Sequence, residues 1–140
     1  MELWIIYALL SAGFAGAVAV LGKIGIQNID STLATTVRAV VMAAFLVLVS
    51  LSIGKAKLLS TIDSKALTFI VLSGIAGALS WLFYFVALKT GPASAVAALD
   101  RLSVVFVVVL AVLFLGESLT LKSGLGVVFL TIGAILMTIK

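Results

Sequence analysis

Of the nine basic and five acidic residues in this chain, three lie inside long apolar stretches: Arg38, Asp100 and Arg101. A charge near the middle of a bilayer costs at least roughly 2.5–3.5 kcal/mol, so such residues face a cavity, a ligand or an opposite charge. At the helical rise, Arg38 lies roughly 9 Å past Thr32 and Asp100 roughly 10 Å past Ala93, where their stretches begin. If both stretches enter from one side of the membrane, the two charges share a depth and can pair. Asp100 and Arg101 are consecutive, about 100° apart around a helix, and cannot both address one neighbour. One of them needs another partner. Two readings stand side by side. In one, Arg38 and Asp100 pin helix register while Arg101 snorkels toward the interface. In the other, the three residues form a substrate or coupling-ion site.

Further side chains reach the same level. Thr35 shares a face with Arg38, and Ser103 lies three residues beyond Asp100. Tyr84 fits an aromatic belt at the bilayer edge, as Trp4 and Tyr7 do at the opposite edge. Trp81 is too deep for a belt and is the better cavity candidate. With no Cys and no His in the chain, thiol chemistry, imidazole bases and the commonest metal ligands are excluded. An intramembrane aspartyl enzyme would need two deep carboxylates where this chain has one. The reading is therefore not an enzyme, with no cofactor and no metal.

The elements that must position these residues are five apolar runs: Leu3–Gly22, Thr32–Ile53, Ala66–Leu88, Ala93–Leu115 and Ser123–Ile139. A membrane-crossing helix needs roughly 17–25 residues, so each qualifies, the last narrowly. The chain is 64% hydrophobic, with a mean hydropathy of +1.44; a soluble globule of this size cannot bury helices that are apolar all round. The predicted fold is an all-α membrane protein of five transmembrane helices, with residues 1–140 as one domain and no room for a soluble one. The first run lacks a basic leader and a clear cleavage site, so it is expected to stay as a helix. The net charge of +4 does not point to nucleic acid, because the basic residues are dispersed among short connections.

Five is odd, so the termini are expected on opposite sides. On the N-terminal side, side A, stand Lys55, Lys57, Lys65 and Lys122; on side B stand Lys23, Lys89 and Lys140. Orientation follows the Lys/Arg excess, and four against three, or four against five with Arg38 and Arg101 assigned to side B, is an excess of one residue in either direction. Either the protein inserts one way on a weak bias, or copies insert both ways and pair antiparallel. Gly91 can end the third helix and Pro92 begin the fourth. In Gly54–Lys65, the residues Leu58, Leu59 and Ile62 share a face that can rest on the interface as one or two amphipathic turns. Small residues recur four apart at Ala8, Ala12 and Gly16, at Ser73 and Gly77, and at Gly74 and Ala78; Gly126 and Gly133 sit seven apart. Such stripes let backbones approach closely, and packing within the chain is the expected use.

Several of these residues form a recognisable pattern. Ala87-Leu-Lys-Thr-Gly-Pro-Ala-Ser-Ala-Val-Ala97, Asp100-Arg-Leu-Ser103, Phe114-Leu-Gly-Glu-Ser-Leu-Thr120 and Gly124-Leu-Gly126 resemble the EamA-type domain of the drug/metabolite transporter superfamily. Gly25-Ile-Gln-Asn-Ile-Asp30 followed by Arg38 resembles its first connection and second helix. The resemblance covers the whole chain, and Leu-Gly-Glu is its most specific element. Most members carry two such domains, inverted relative to each other; this chain resembles the short, single-domain branch. The resemblance implies a secondary transporter in the cell membrane, acting on small polar metabolites such as amino acids. It also favours an antiparallel homodimer, the only way a lone odd-span unit can reproduce an inverted repeat. Lipid and a small-molecule substrate are the implied partners. Many relatives carry a proline where this chain has Val104, so no proline kink is expected there. The small four-helix multidrug exporters use a Glu within their first helix; here only Glu2 stands at its start, and their mechanism does not carry over.

On this reading Asp100 binds a proton, a cation or a substrate amine. Arg38 or Arg101 meets a substrate carboxylate or the Asp100 charge, with Trp81 and Ser103 completing the site. The competing reading is a non-transporting membrane scaffold or assembly subunit, which needs only the packing stripes and a register pair.

Overall fold

In hydrocarbon no water can satisfy a backbone N–H or C=O, so an apolar run that crosses a bilayer pairs those groups within itself, as a helix does. The computed structural model, which describes residues 2–139, follows that rule: among the described residues there is no strand. The helices are α1 (Leu3–Gly25), α2 (Ser31–Ser52), α3 (Ser64–Thr90), α4 (Ala93–Asp100), α5 (Ser103–Leu110) and α6 (Leu121–Leu136). A 3₁₀ segment, Lys55–Thr61, links α2 to α3, and a π-type turn, Ala111–Leu115, extends α5.

Four runs are long and apolar enough to cross a membrane: α1, α2, α3 and the continuous Ala93–Leu115, of 22 to 27 residues each. They match the first four expected stretches to within three residues at each end. The fifth differs. Helix α6 has 16 residues, about 24 Å at the helical rise against a hydrocarbon core of about 30 Å. Its winding continues for two residues, with Met137 N–H donating to Gly133 O and Thr138 N–H to Ile135 O. Lys140, counted above on side B, lies outside the described residues.

Local chemistry sets the ends of these helices. The Asp30 carboxylate accepts from Leu33 N–H at 3.0 Å and caps α2; Asp63 does the same for Ala66 N–H at 2.7 Å ahead of α3. Thr120 Oγ1 accepts from Ser123 N–H at 3.1 Å and caps α6. Pro92 stands at the N-cap of α4 with φ −66°, the value its ring imposes. Gly116 carries the other signal. At φ 68° it adopts the left-handed conformation that stops a helix, and Glu117 N–H turns back to Ala111 O at 3.2 Å. The Leu115-Gly116-Glu117 motif is therefore a helix terminator. Gly91, expected to end α3 in the same way, has no positive φ.

The chain divides into two units: Ile24–Lys89, with α2, the 3₁₀ segment and α3, and a second made of the flanking segments. In the flanking unit α6 packs on α4 and α5; Ala95 of α4 and Ala134 of α6 are buried, alanines that allow close approach. In Ile24–Lys89 the buried residues are Ile26, Ser31, Phe85 and Leu88.

Within their own units the small-residue stripes are unpacked. A side chain placed at Gly16, Gly74, Gly77, Gly126 or Gly133 would meet nothing within 4 Å. Ala8 and Ala12 are likewise exposed. These faces are smooth and open, and no helix of the same unit lies against them.

Candidate functional site

Within Ile24–Lys89 the structure brings Arg38 and Trp81 together. The guanidinium carbon of Arg38 stands 3.6 Å from the centroid of the Trp81 ring and 5.6 Å from that of Phe85. Both lie inside the roughly 6 Å reach of a cation–π contact. Trp81 and Tyr84 meet edge to face at 5.4 Å, and Phe85 completes the cluster at 6.1 Å from Trp81 and 6.2 Å from Tyr84. The spacing explains the cluster: residues three and four apart share a helix face, so 81, 84 and 85 rise on one side of α3.

Arg38 and Trp81 stand at one end of a groove of about 710 Å³ between α2 and α3. Met42, Ala43 and Leu46 form one wall, and Gly74, Gly77 and Ala78 form the floor on α3. Thr35 and Thr36 also line it, but their hydroxyls turn back to their own helix. Thr35 Oγ1 donates to Ser31 O at 2.8 Å and Thr36 Oγ1 to Thr32 O at 2.9 Å. Arg38 is left as the one charged group on an apolar surface. The two carboxylates of this unit are engaged elsewhere, Asp30 and Asp63 as the caps of α2 and α3.

Asp100, Arg101 and Ser103 lie in the flanking unit, in the fourth apolar run, and all three are exposed. The helix tightens at this point without a proline. Arg101 N–H donates to Ala98 O at 3.2 Å and Leu102 N–H to Leu99 O at 2.9 Å. Val104 N–H and Val105 N–H follow the same i−3 pattern to Arg101 O and Leu102 O. Three residues per turn eclipse i with i+3, so Asp100 and Ser103 fall on one edge and Arg101 on another. No proline kink was expected at Val104, yet the α ladder is interrupted immediately before it.

Two lysines fasten the connections beside these sites. Lys23 Nζ donates to Gly91 O at 2.9 Å in the flanking unit, and Lys89 Nζ donates to Ile29 O at 2.6 Å within Ile24–Lys89. Asp30, outside the apolar runs, has its carboxyl held below the usual range, chiefly by the Leu33 N–H, with the charge of Lys89 adding to the effect.

Sequence reasoning singled out Arg38 and Trp81 separately and missed Phe85. Its signal was present: a ring four residues past a deep Trp. Arg38 and Asp100 belong to different units.

Residues 2–139 match the EamA-like transporter family. A protein of a Sinorhizobium species, described as an uncharacterized transporter in the cobO 3′ region, is 44% identical over 136 residues, 97% of this chain and 96% of its own. An uncharacterized protein of Methanocaldococcus jannaschii is 37% identical over 78 residues, 56% of this chain and 57% of its own. No solved structure matches the chain.

Proposed function

From a chain that belongs to the EamA-like transporter family, we propose a half-transporter of five spans that pairs with an inverted copy of itself. It is a multi-pass protein of the cell membrane and a transporter of the drug/metabolite type. The proposal adds the substrate, the direction and the assembly: export of small polar metabolites such as amino acids, by alternating access, through a cavity enclosed by an antiparallel homodimer.

One observation carries this reading. Asp100, Arg101 and Ser103 are exposed in the middle of an apolar, membrane-spanning run. Lipid is a costly neighbour for the two charges, and a polar cavity between protomers removes that cost. On this reading Asp100 takes a proton, a cation or a substrate amine. Arg38 and Arg101 address a carboxylate, with Trp81 and Ser103 beside them. The odd number of spans supports antiparallel pairing, since a lone unit of that kind can reproduce the inverted repeat of two-domain transporters only by pairing with an inverted copy. A scaffold or assembly subunit is the second reading, and the open glycine stripes favour it, because they would serve a partner helix without any transport.

Purified protein in proteoliposomes, offered a panel of labelled metabolites, separates the two. Uptake that is saturable and lost in a folded, dimeric Asp100→Asn variant supports transport at this site. If Asp100 only pins Arg38, the single variant loses stability and the double change with Arg38→Gln restores both stability and uptake. Full uptake by a well-folded Asp100→Asn variant removes Asp100 from the mechanism, and no uptake of any compound leaves the scaffold.

A further inference from the structure

The groove between α2 and α3 has chemistry of its own. Its length from Arg38 to Leu46 is about 12 Å along the helix, and its volume of about 710 Å³ lies in the range of small-molecule sites. Along that length every lining group beyond Arg38 and Trp81 is apolar or has its hydroxyl turned away. One end is cationic and the rest is greasy.

How Arg38 is held decides what the cationic end recognises. A guanidinium presents its five N–H donors in its own plane and none from its faces. Trp81 covers one face at 3.6 Å, which fixes the plane without occupying a donor. Neither Asp30 nor Asp63 is available within the unit, since both cap helices. A clamped guanidinium with its edge open matches two parallel bonds to a carboxylate. The floor supplies the complementary half. Gly74 and Gly77 leave open space where side chains would stand, so an apolar body can lie against the backbone of α3.

We propose that this groove binds an organic monocarboxylate with an apolar body, the carboxylate edge-on to Arg38 and the body along Gly74, Gly77 and Ala78. The assignment rests on the transport reading above and sets its substrate as a carboxylate with an apolar body in place of a free amino acid: within this unit the groove receives a carboxylate and offers no anion to an ammonium group.

The chain has two tryptophans, Trp4 and Trp81, so Trp4→Phe makes Trp81 the sole reporter. In nanodiscs, this variant is titrated with hexanoate, hexylamine and hexanol, which share a tail and differ in head charge. The expected result is a saturable change in Trp81 emission with hexanoate alone. Arg38→Gln should weaken it about ten- to hundredfold, the range of a lost charge-assisted pair, and Arg38→Lys should retain part. Gly77→Val, which leaves the head site intact, should weaken hexanoate binding by filling the floor. Equal responses to all three compounds, or a hexanoate response unchanged by both Arg38→Gln and Gly77→Val, would overturn the assignment in favour of simple partition into the bilayer. Emission that follows the protein-to-lipid ratio and ignores hexanoate would also overturn it, placing a second copy in the groove. Hexanoate binding with no uptake in proteoliposomes would leave the groove standing and defeat the transport reading. Carboxylate uptake indifferent to Arg38→Gln would do the reverse.

Discussion

The stacking of Arg38 on Trp81 can be weighed by a double-mutant cycle. The perturbations are Arg38→Gln, Trp81→Leu and both together, followed by the same cycle with Phe85→Leu. A cation–π contact is worth about 0.5–1 kcal/mol in water and about 2 kcal/mol or more when desolvated. Arg38 is half-buried beside an apolar groove and sits 3.6 Å from the Trp81 centroid, so its coupling to Trp81 should be about 1–2 kcal/mol. Phe85, at 5.6 Å, is near the limit of the interaction and should couple by about 0.5 kcal/mol or less. The assay is reversible unfolding in mixed micelles, read by helical circular dichroism. Only the coupling matters, because each truncation also leaves a gap whose cost is its own. A Trp81 coupling below about 0.3 kcal/mol, the ordinary scatter of additivity, or one no larger than that of Phe85, would refute the assignment of the contact.

Gly116→Ala should destabilise the protein by about 1–2 kcal/mol, because an L-residue is strained in the left-handed conformation. Gly116→Asn should cost less; equal losses in the same unfolding assay would show that the φ of 68° is not the cause. The folded pKa of Asp30 lies below its unfolded value of about 3.9, so its stabilisation is present above that value and lost as the pH falls through the folded pKa. The protection factor of the Leu33 amide, taken against its intrinsic exchange rate at each pH, should therefore fall on acidification below about pH 4, a fall that Asp30→Asn, which does not titrate, should lack. A single cysteine at Ser60, in the connection Gly54–Lys65, should be labelled from both sides of the membrane if copies insert both ways. Labelling from one side alone excludes the antiparallel pair.

Hydropathy made the four long helices legible, because in a bilayer length and apolarity are the requirement itself. The fourth run was legible to its end at Leu115, but Leu-Gly-Glu marked only the family resemblance, and the left-handed turn at Gly116 emerged with the structure. Facing was not legible. Helices that are apolar on every side carry no periodic mark of which side meets which neighbour, so Arg38 and Trp81 were picked out one by one and their contact was not foreseen. The glycine stripes carry the same ambiguity: spacing shows that a face is smooth, not which helix lies on it. The tightened turn at Arg101–Leu102 left no trace in the sequence, since the residue that usually marks such a break is absent. Phe85 was overlooked because a ring among apolar neighbours looks like filler until a cation is found beside it.

The two bound lysines have a consequence for how this chain can drift over generations. In the five-span topology Lys23 and Lys89 lie on side B, and each is fastened to a carbonyl of a connection. Lys55, Lys57, Lys65 and Lys122, on side A, make no such bond among the described residues. Replacement of a side-B lysine thus alters insertion and folding together, whereas a side-A lysine can be gained or lost with little effect on the fold. With four lysines facing three, or four basic residues facing five when Arg38 and Arg101 are assigned to side B, the balance rests on one residue either way. If the span count is five, orientation in the membrane rests on that narrow margin, and a duplicated copy needs few lysine changes to insert the other way.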